Sequence, residues 1–66
     1  MEEFAEVDVE VLVHGEKAVK VTNGVMECWV PYKIIDDSSE IHEKTPVGVT
    51  GTLVIPEWKA VNEGLV

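Results

Sequence analysis

Arginine is missing from this chain altogether, cysteine occurs once, and the aromatic residues are two Trp, one Tyr and one Phe. Without arginine there is no planar guanidinium fork to read guanine edges or grip phosphate at two points, so a phosphate would have to be held by lysine or by backbone N–H groups. A single cysteine, Cys28, cannot close an intramolecular disulfide, and a structural thiolate zinc site would need two chains to share it. The natural home of such a chain is a reducing cytoplasm. The apolar runs, such as Leu53, Val54 and Ile55, are only a few residues long, far short of the roughly 20 that a membrane crossing requires. Glu2, Glu3, Glu6, Asp8 and Glu10 stand where an export signal would need a basic start and an apolar stretch, so no such signal is expected.

What remains is short and acidic. The 66 residues suffice for one domain, 1–66, near the lower limit at which an apolar core alone holds a fold. A domain of this size buries roughly 60% of the surface its unfolded chain exposes, which leaves little room for a deep catalytic cleft as well. Thirteen carboxylates against five lysines give a formal charge of −8, a field that repels nucleic-acid phosphate and attracts basic surfaces. Direct nucleic-acid binding is therefore not expected.

The hydrophobic pattern is that of strands. Residues 7–14 alternate, with Val7, Val9, Val11 and Val13 on one side and Asp8, Glu10, Leu12 and His14 on the other. A turn through Gly15, read as a position of positive φ, leads to a strand over 18–22. Asn23 and Gly24 suit a two-residue type I′ loop into a strand over 25–30, with Thr22 facing Val25 and Val19 facing Cys28. That hairpin puts Val19, Val21, Met26, Cys28 and Val30 on a core face, and Lys20, Glu27 and Trp29 on the other. Pro31 ends the strand, residues 32–35 form a turn or 3₁₀ segment, and Asp36, Asp37, Ser38, Ser39 and Glu40 read as an exposed loop. A weak strand is expected over 41–45 and a stronger one from 49 or 50 to 55. Pro56, Glu57 and Gly64 frame a short helix whose Trp58, Val61 and Leu65 would pack on the sheet. The fold expected is mainly β, a small strongly bent antiparallel sheet or open barrel of four to five strands, Src-homology-3-like, with a short C-terminal helix.

Two stretches carry a resemblance. Val19-Lys20-Val21 through Cys28-Trp29-Val30-Pro31, and Ile55-Pro56-Glu57-Trp58-Lys59-Ala60 closing on Glu63-Gly64-Leu65, resemble small uncharacterised proteins of phages and mobile elements. In those proteins a strand ends in Trp, an aliphatic residue and Pro, and the chain closes with Pro, a spacer, Trp, then Gly-Leu. They usually continue after the first Pro with a basic residue and Ser, where this chain has Tyr32 and Lys33. The resemblance implies a phage-like origin and brings no catalytic residues with it.

Of the reactive side chains, His14, Asp36, Asp37 and His42 are the metal-type ligands, but nothing in their spacing converges on an ion, and surface histidines are the expectation. Cys28 falls on the core face, where it acts as a small apolar residue rather than a nucleophile. Ser38 and Ser39 lack a positioned base, and Asp36 and Asp37 would need a cleft to do acid–base work. No catalytic residue, metal or cofactor is assigned. The candidate binding residues are Trp29, Tyr32, Lys33, Asp36, Asp37, Glu2, Glu3 and Glu6. Trp29 is either packed under the helix against Trp58 or displayed, and the acidic residues are either solubilising charge or an imitation of a phosphate row. The expectation is a non-enzymatic, phage-type accessory that binds and inhibits a host defence protein with a basic surface. The alternatives are a small-ligand or nucleotide sponge, using Trp29 or Tyr32, Lys33 and N–H groups near Gly48 and Gly51, and a phage structural or assembly piece. Unpaired sheet edges lead to the further expectation of a homo-oligomer.

Overall fold

The computed structural model describes residues 3–66. Four strands, β1 (Phe4–His14), β2 (Ala18–Thr22), β3 (Glu27–Pro31) and β4 (Thr50–Pro56), form one antiparallel sheet in the order β3-β2-β1-β4 that does not close. A 3₁₀ turn, Tyr32–Ile34, follows β3, and a short helix α1, Glu57–Asn62, follows β4. No helix among the described residues is long and apolar enough to cross a membrane.

The alternating valines behave as their spacing demands up to Val11. Val7, Val9 and Val11 on β1, Val19 and Val21 on β2, Cys28 and Val30 on β3, and Leu53 and Ile55 on β4 are buried on one face. Over them lie Ile41, Ala60 and Leu65, with Tyr32, Ile34 and Ile35 at the margin. A β-bulge between Val11 and Val13 then reverses the alternation. Val13, expected in the core, is 47% exposed opposite Lys20, and His14, expected outside, comes opposite the buried Val19.

The β2–β3 hairpin pairs Thr22 with Glu27, Val21 with Cys28 and Val19 with Val30, two residues away from the register that a two-residue loop imposes. The loop has four residues, 23–26. Asn23 does not adopt the positive φ that type I′ needs; instead its Oδ1 accepts hydrogen bonds from Val25 N–H and Met26 N–H. Because the shift is even, every side chain keeps its face. Met26 alone leaves the core, having passed from the strand into the loop.

Residues 41–45 form no strand. His42 N–H donates to the Thr45 hydroxyl, and Thr45 N–H to the His42 carbonyl, which closes a tight turn before Pro46. Ile41 and Thr45 anchor that turn in the interior. Gly51 makes this possible, since a Cβ there would stand 3.3 Å from the Ile41 Cδ1. The polar loop before Ile41 is likewise less free than its composition suggests. Asp36 N–H and Glu40 N–H donate to the carbonyls of Val54 and Thr52, Val54 N–H donates to the Ser39 hydroxyl, and Thr52 N–H donates to the Glu40 carboxylate. The loop is thus laced along the outer edge of β4, and Ser39 is buried.

Helix α1 meets the sheet through Ala60, whose small side chain allows close approach, and through Leu65 just beyond its end. Trp58 and Val61, expected to pack inward, are more than half exposed.

Candidate functional site

The outer face of the sheet carries an acidic row. Glu6, Asp8 and Glu10 alternate with the buried valines of β1, so all three point the same way, and all three are exposed. Their cross-strand neighbours on β4 are Val54, Thr52 and Thr50, and Glu10 also faces Thr22 on β2. None of these is a cation. The Thr52 hydroxyl donates to Asp8 Oδ1 at 3.3 Å, and the ion pairs among the described residues, Lys20–Glu27 and Lys59–Glu63, lie elsewhere. Successive carboxylates on such a strand are about 6.6–6.8 Å apart at their Cα atoms. Glu3 precedes the strand, exposed, with its carbonyl accepting Glu57 N–H, while Glu2 lies outside the described residues. The row therefore includes Asp8 and Glu10 with Glu6.

Trp29 shares that outer face at its other end. It is 46% exposed, pairs across the ladder with Lys20, and lies over Gly15, where a Cβ would come 3.1 Å from its ring. Gly15 is thus required by close approach and not by positive φ. No ring contact joins Trp29 to Trp58 among the described residues.

The other predicted residues gather around the 3₁₀ turn. Tyr32, Asp36 and Asp37 line a cavity of about 290 Å³ with Ile35, Ser39, His42 and Glu43. Lys33 joins Asp36 and Asp37 in a second, beside Phe4 and Trp58. Tyr32 and Lys33 also line an open apolar groove of about 510 Å³ with Glu16, Lys17, Ala18 and Pro31. Lys17 and Lys33 give this groove the nearest thing to a basic rim on an acidic molecule. The Asp36 carboxyl is held below the usual carboxylate range by the Ser38 hydroxyl and the Ser38 N–H, which both donate to its Oδ2. Burial pushes the Tyr32 hydroxyl above its ordinary value, and the Glu43 charge pushes the same way.

His14 is no surface histidine. Its Nδ1 lies 2.6 Å from the Tyr32 hydroxyl, and its Nε2 donates to the Thr45 carbonyl. Since a carbonyl only accepts, the Nε2 position carries the proton. Both nitrogens are engaged, and His42 Nδ1 accepts from Lys44 N–H within its own turn. Among the described residues no three of His, Cys, Asp and Glu converge on a common point. Cys28 is buried as its face required, and burial pushes its thiol up, helped by Glu63 and opposed by Lys59.

Sequence reasoning missed the inward turn of His14, the structural part of Ser39, and the groove beside Lys17. Leu12 was the available signal for the first, an apolar residue among the polar positions of an alternating strand. Known protein families, curated proteins and solved structures offer no match to this chain.

Proposed function

We propose that this chain is a small non-enzymatic binding protein that docks the acidic outer face of its sheet onto a basic surface of a host protein and inhibits it. In this reading it is a phage-type accessory, and a defence protein that handles nucleic acid is the favoured target. The observation that carries the reading is the row of Glu6, Asp8 and Glu10, three exposed carboxylates on one face of a central strand, which make no ion pair among the described residues. Flanking threonines add hydroxyls that hydrogen-bond without cancelling charge. Such a face is complementary to a channel built for phosphates, and net charge of the same sign steers it there. Trp29, half exposed at the far end of the same face, supplies an aromatic anchor.

A small-ligand reading draws on the groove between Lys17 and Lys33, with Tyr32 in its wall. The glycine N–H groups themselves have other partners. Gly48 N–H donates to the Val11 carbonyl, and Gly51 lies within the β1–β4 ladder. Calorimetry against a nucleotide panel tests the small-ligand reading, because flat traces with every member remove its nucleotide form.

The direct test is capture from bacterial lysate on immobilised protein, followed by identification of the retained protein and assay of its activity. The proposal expects a partner that binds nucleic acid through a basic surface and loses that binding when the chain is added. A partner that keeps its nucleic acid in the presence of saturating chain would contradict it.

A further inference from the structure

The two edges of the sheet differ. In an antiparallel ladder alternate residues turn their backbone groups to the neighbouring strand and the others turn them away. Tyr32 N–H donates to the Lys17 carbonyl and Asn23 N–H to the Met26 carbonyl, so the pairs Val19↔Val30 and Val21↔Cys28 are the hydrogen-bonded ones. Glu27, Trp29 and Pro31 therefore face outward from β3. On the opposite edge the outward residues of β4, Thr52 and Val54, are taken up by Glu40, Ser39 and Asp36. On β3 no described residue takes up the backbone groups of Glu27 or Trp29.

We propose that a second copy of this chain covers β3, running antiparallel to it, with the Trp29 residues of the two copies opposite each other on a two-fold axis. An edge strand with free N–H and C=O groups asks for another strand, and three observations favour the same strand of another copy. First, the pairing is self-complementary in hydrogen bonds. Trp29 exchanges both of its bonds with its counterpart, and Pro31 accepts the N–H of Glu27 of the other copy while the Glu27 carbonyl, for which Pro31 has no N–H, stays with solvent at the end of the pairing. Second, it is complementary in charge. Glu27, which already pairs with Lys20 of its own copy at 3.3 Å, sits at one end of β3, while Lys17 and Lys33, which make no ion pair among the described residues, sit by the other end and offer it a second cation. An antiparallel arrangement brings those opposite ends together twice. Third, it is complementary in shape. The antiparallel arrangement brings the hairpin tip just beyond Glu27, where Val25 is 85% exposed, towards the far end of β3 in the other copy, where Pro31 lines the apolar groove with Lys17 and Lys33.

The result is one continuous eight-stranded sheet. Its two acidic rows lie on the same side, five strand spacings or about 24 Å apart. The dimer stands independently of what that face binds.

Sedimentation equilibrium and amide hydrogen exchange on the full chain test the proposal. A species of twice 7.3 kDa is expected at high concentration, dissociating on dilution. The Glu27 and Trp29 amides should exchange more slowly as the concentration rises, whereas those of Cys28 and Val30 are slow throughout. Val25→Lys, at a loop tip where Val25 is 85% exposed, sets a third cation against Lys17 and Lys33 and should weaken the dimer at least tenfold, with an unchanged melting curve at dilutions where the wild type is monomeric. A 7.3 kDa species at every concentration overturns the proposal. So does a dimer in which the Glu27 and Trp29 amides exchange as fast as in the monomer, or one that Val25→Lys leaves intact.

Discussion

The imidazole of His14 stacks on the ring of Tyr32, with centroids 5.8 Å apart and planes 25° from parallel, and its Nδ1 lies 2.6 Å from the Tyr32 hydroxyl. That hydroxyl is also 3.1 Å from the Gly15 carbonyl, and the far nitrogen of His14 donates to the Thr45 carbonyl. One histidine and one tyrosine thus tie the end of β1, the turn after it, the 3₁₀ segment and the loop before β4. Tyr32→Phe keeps the stacking and removes the hydroxyl, leaving the His14 Nδ1 and the Gly15 carbonyl without it. A loss of about 1–3 kcal/mol is expected in denaturant unfolding, with an unchanged m-value.

Ser39 joins more backbone than any other side chain in the loop. Its hydroxyl accepts from Ile41 N–H and Val54 N–H and lies within reach of the carbonyls of Ile41 and Thr52. Ser39→Ala strands these groups in a buried place and should cost about 1–3 kcal/mol, whereas Ser38→Ala on the exposed side of the loop should cost less than about 1 kcal/mol. Equal melting points for the two variants would contradict the account of a laced edge.

The hairpin tip gives a third test. Gly24 has a φ of 96° with open space around it, so Gly24→Ala is penalised by backbone conformation alone, by about 1 kcal/mol. Asn23→Ala removes the acceptor for two N–H groups and should cost a similar amount. Thermal unfolding of both variants measures these losses.

Cys28 predicts an alkaline limit. Its folded thiol is raised by burial, so the folded state favours the neutral form. Its contribution to stability is fully present below the unfolded thiol value and is lost as pH rises through the raised folded value. Tyr32, also raised, adds a loss of the same sign at higher pH. Stability measured from neutral to alkaline pH should fall, and Cys28→Ala should flatten the first part of that fall. Alkylation of the native thiol should be slow and should accelerate with unfolding.

Much of the fold was legible because it follows from side-chain alternation. Val7, Val9 and Val11 could only be buried on one face of a strand, and the even shift at Asn23 left the faces of Val19, Val21, Cys28 and Val30 untouched. What was not legible depends on backbone geometry that no pattern encodes. The bulge after Val11 turns His14 inward, and the side chain of Asn23 lengthens a loop that its dipeptide made look tight. Ser39 reads as loop until β4 is in place to receive it. The candidate site divides in the same way. Glu6 lies on a readable strand and keeps its row, whereas Tyr32, an aromatic beside a proline in the sequence, is held by His14 in the fold.

Docking of Glu6, Asp8 and Glu10 on a basic surface makes association with the captured partner depend on salt. Association rates of the wild type and of the Glu6→Gln, Asp8→Asn, Glu10→Gln variant should be measured from low to high ionic strength, with the fold of the variant verified by thermal unfolding. Steering acts over about 10 Å at 0.1 M salt, so the wild-type rate should fall steeply with salt, and the variant should associate at least tenfold more slowly at low salt with a flattened slope. Equal rates and equal slopes for the two proteins would exclude docking through the row and leave it as solubilising charge.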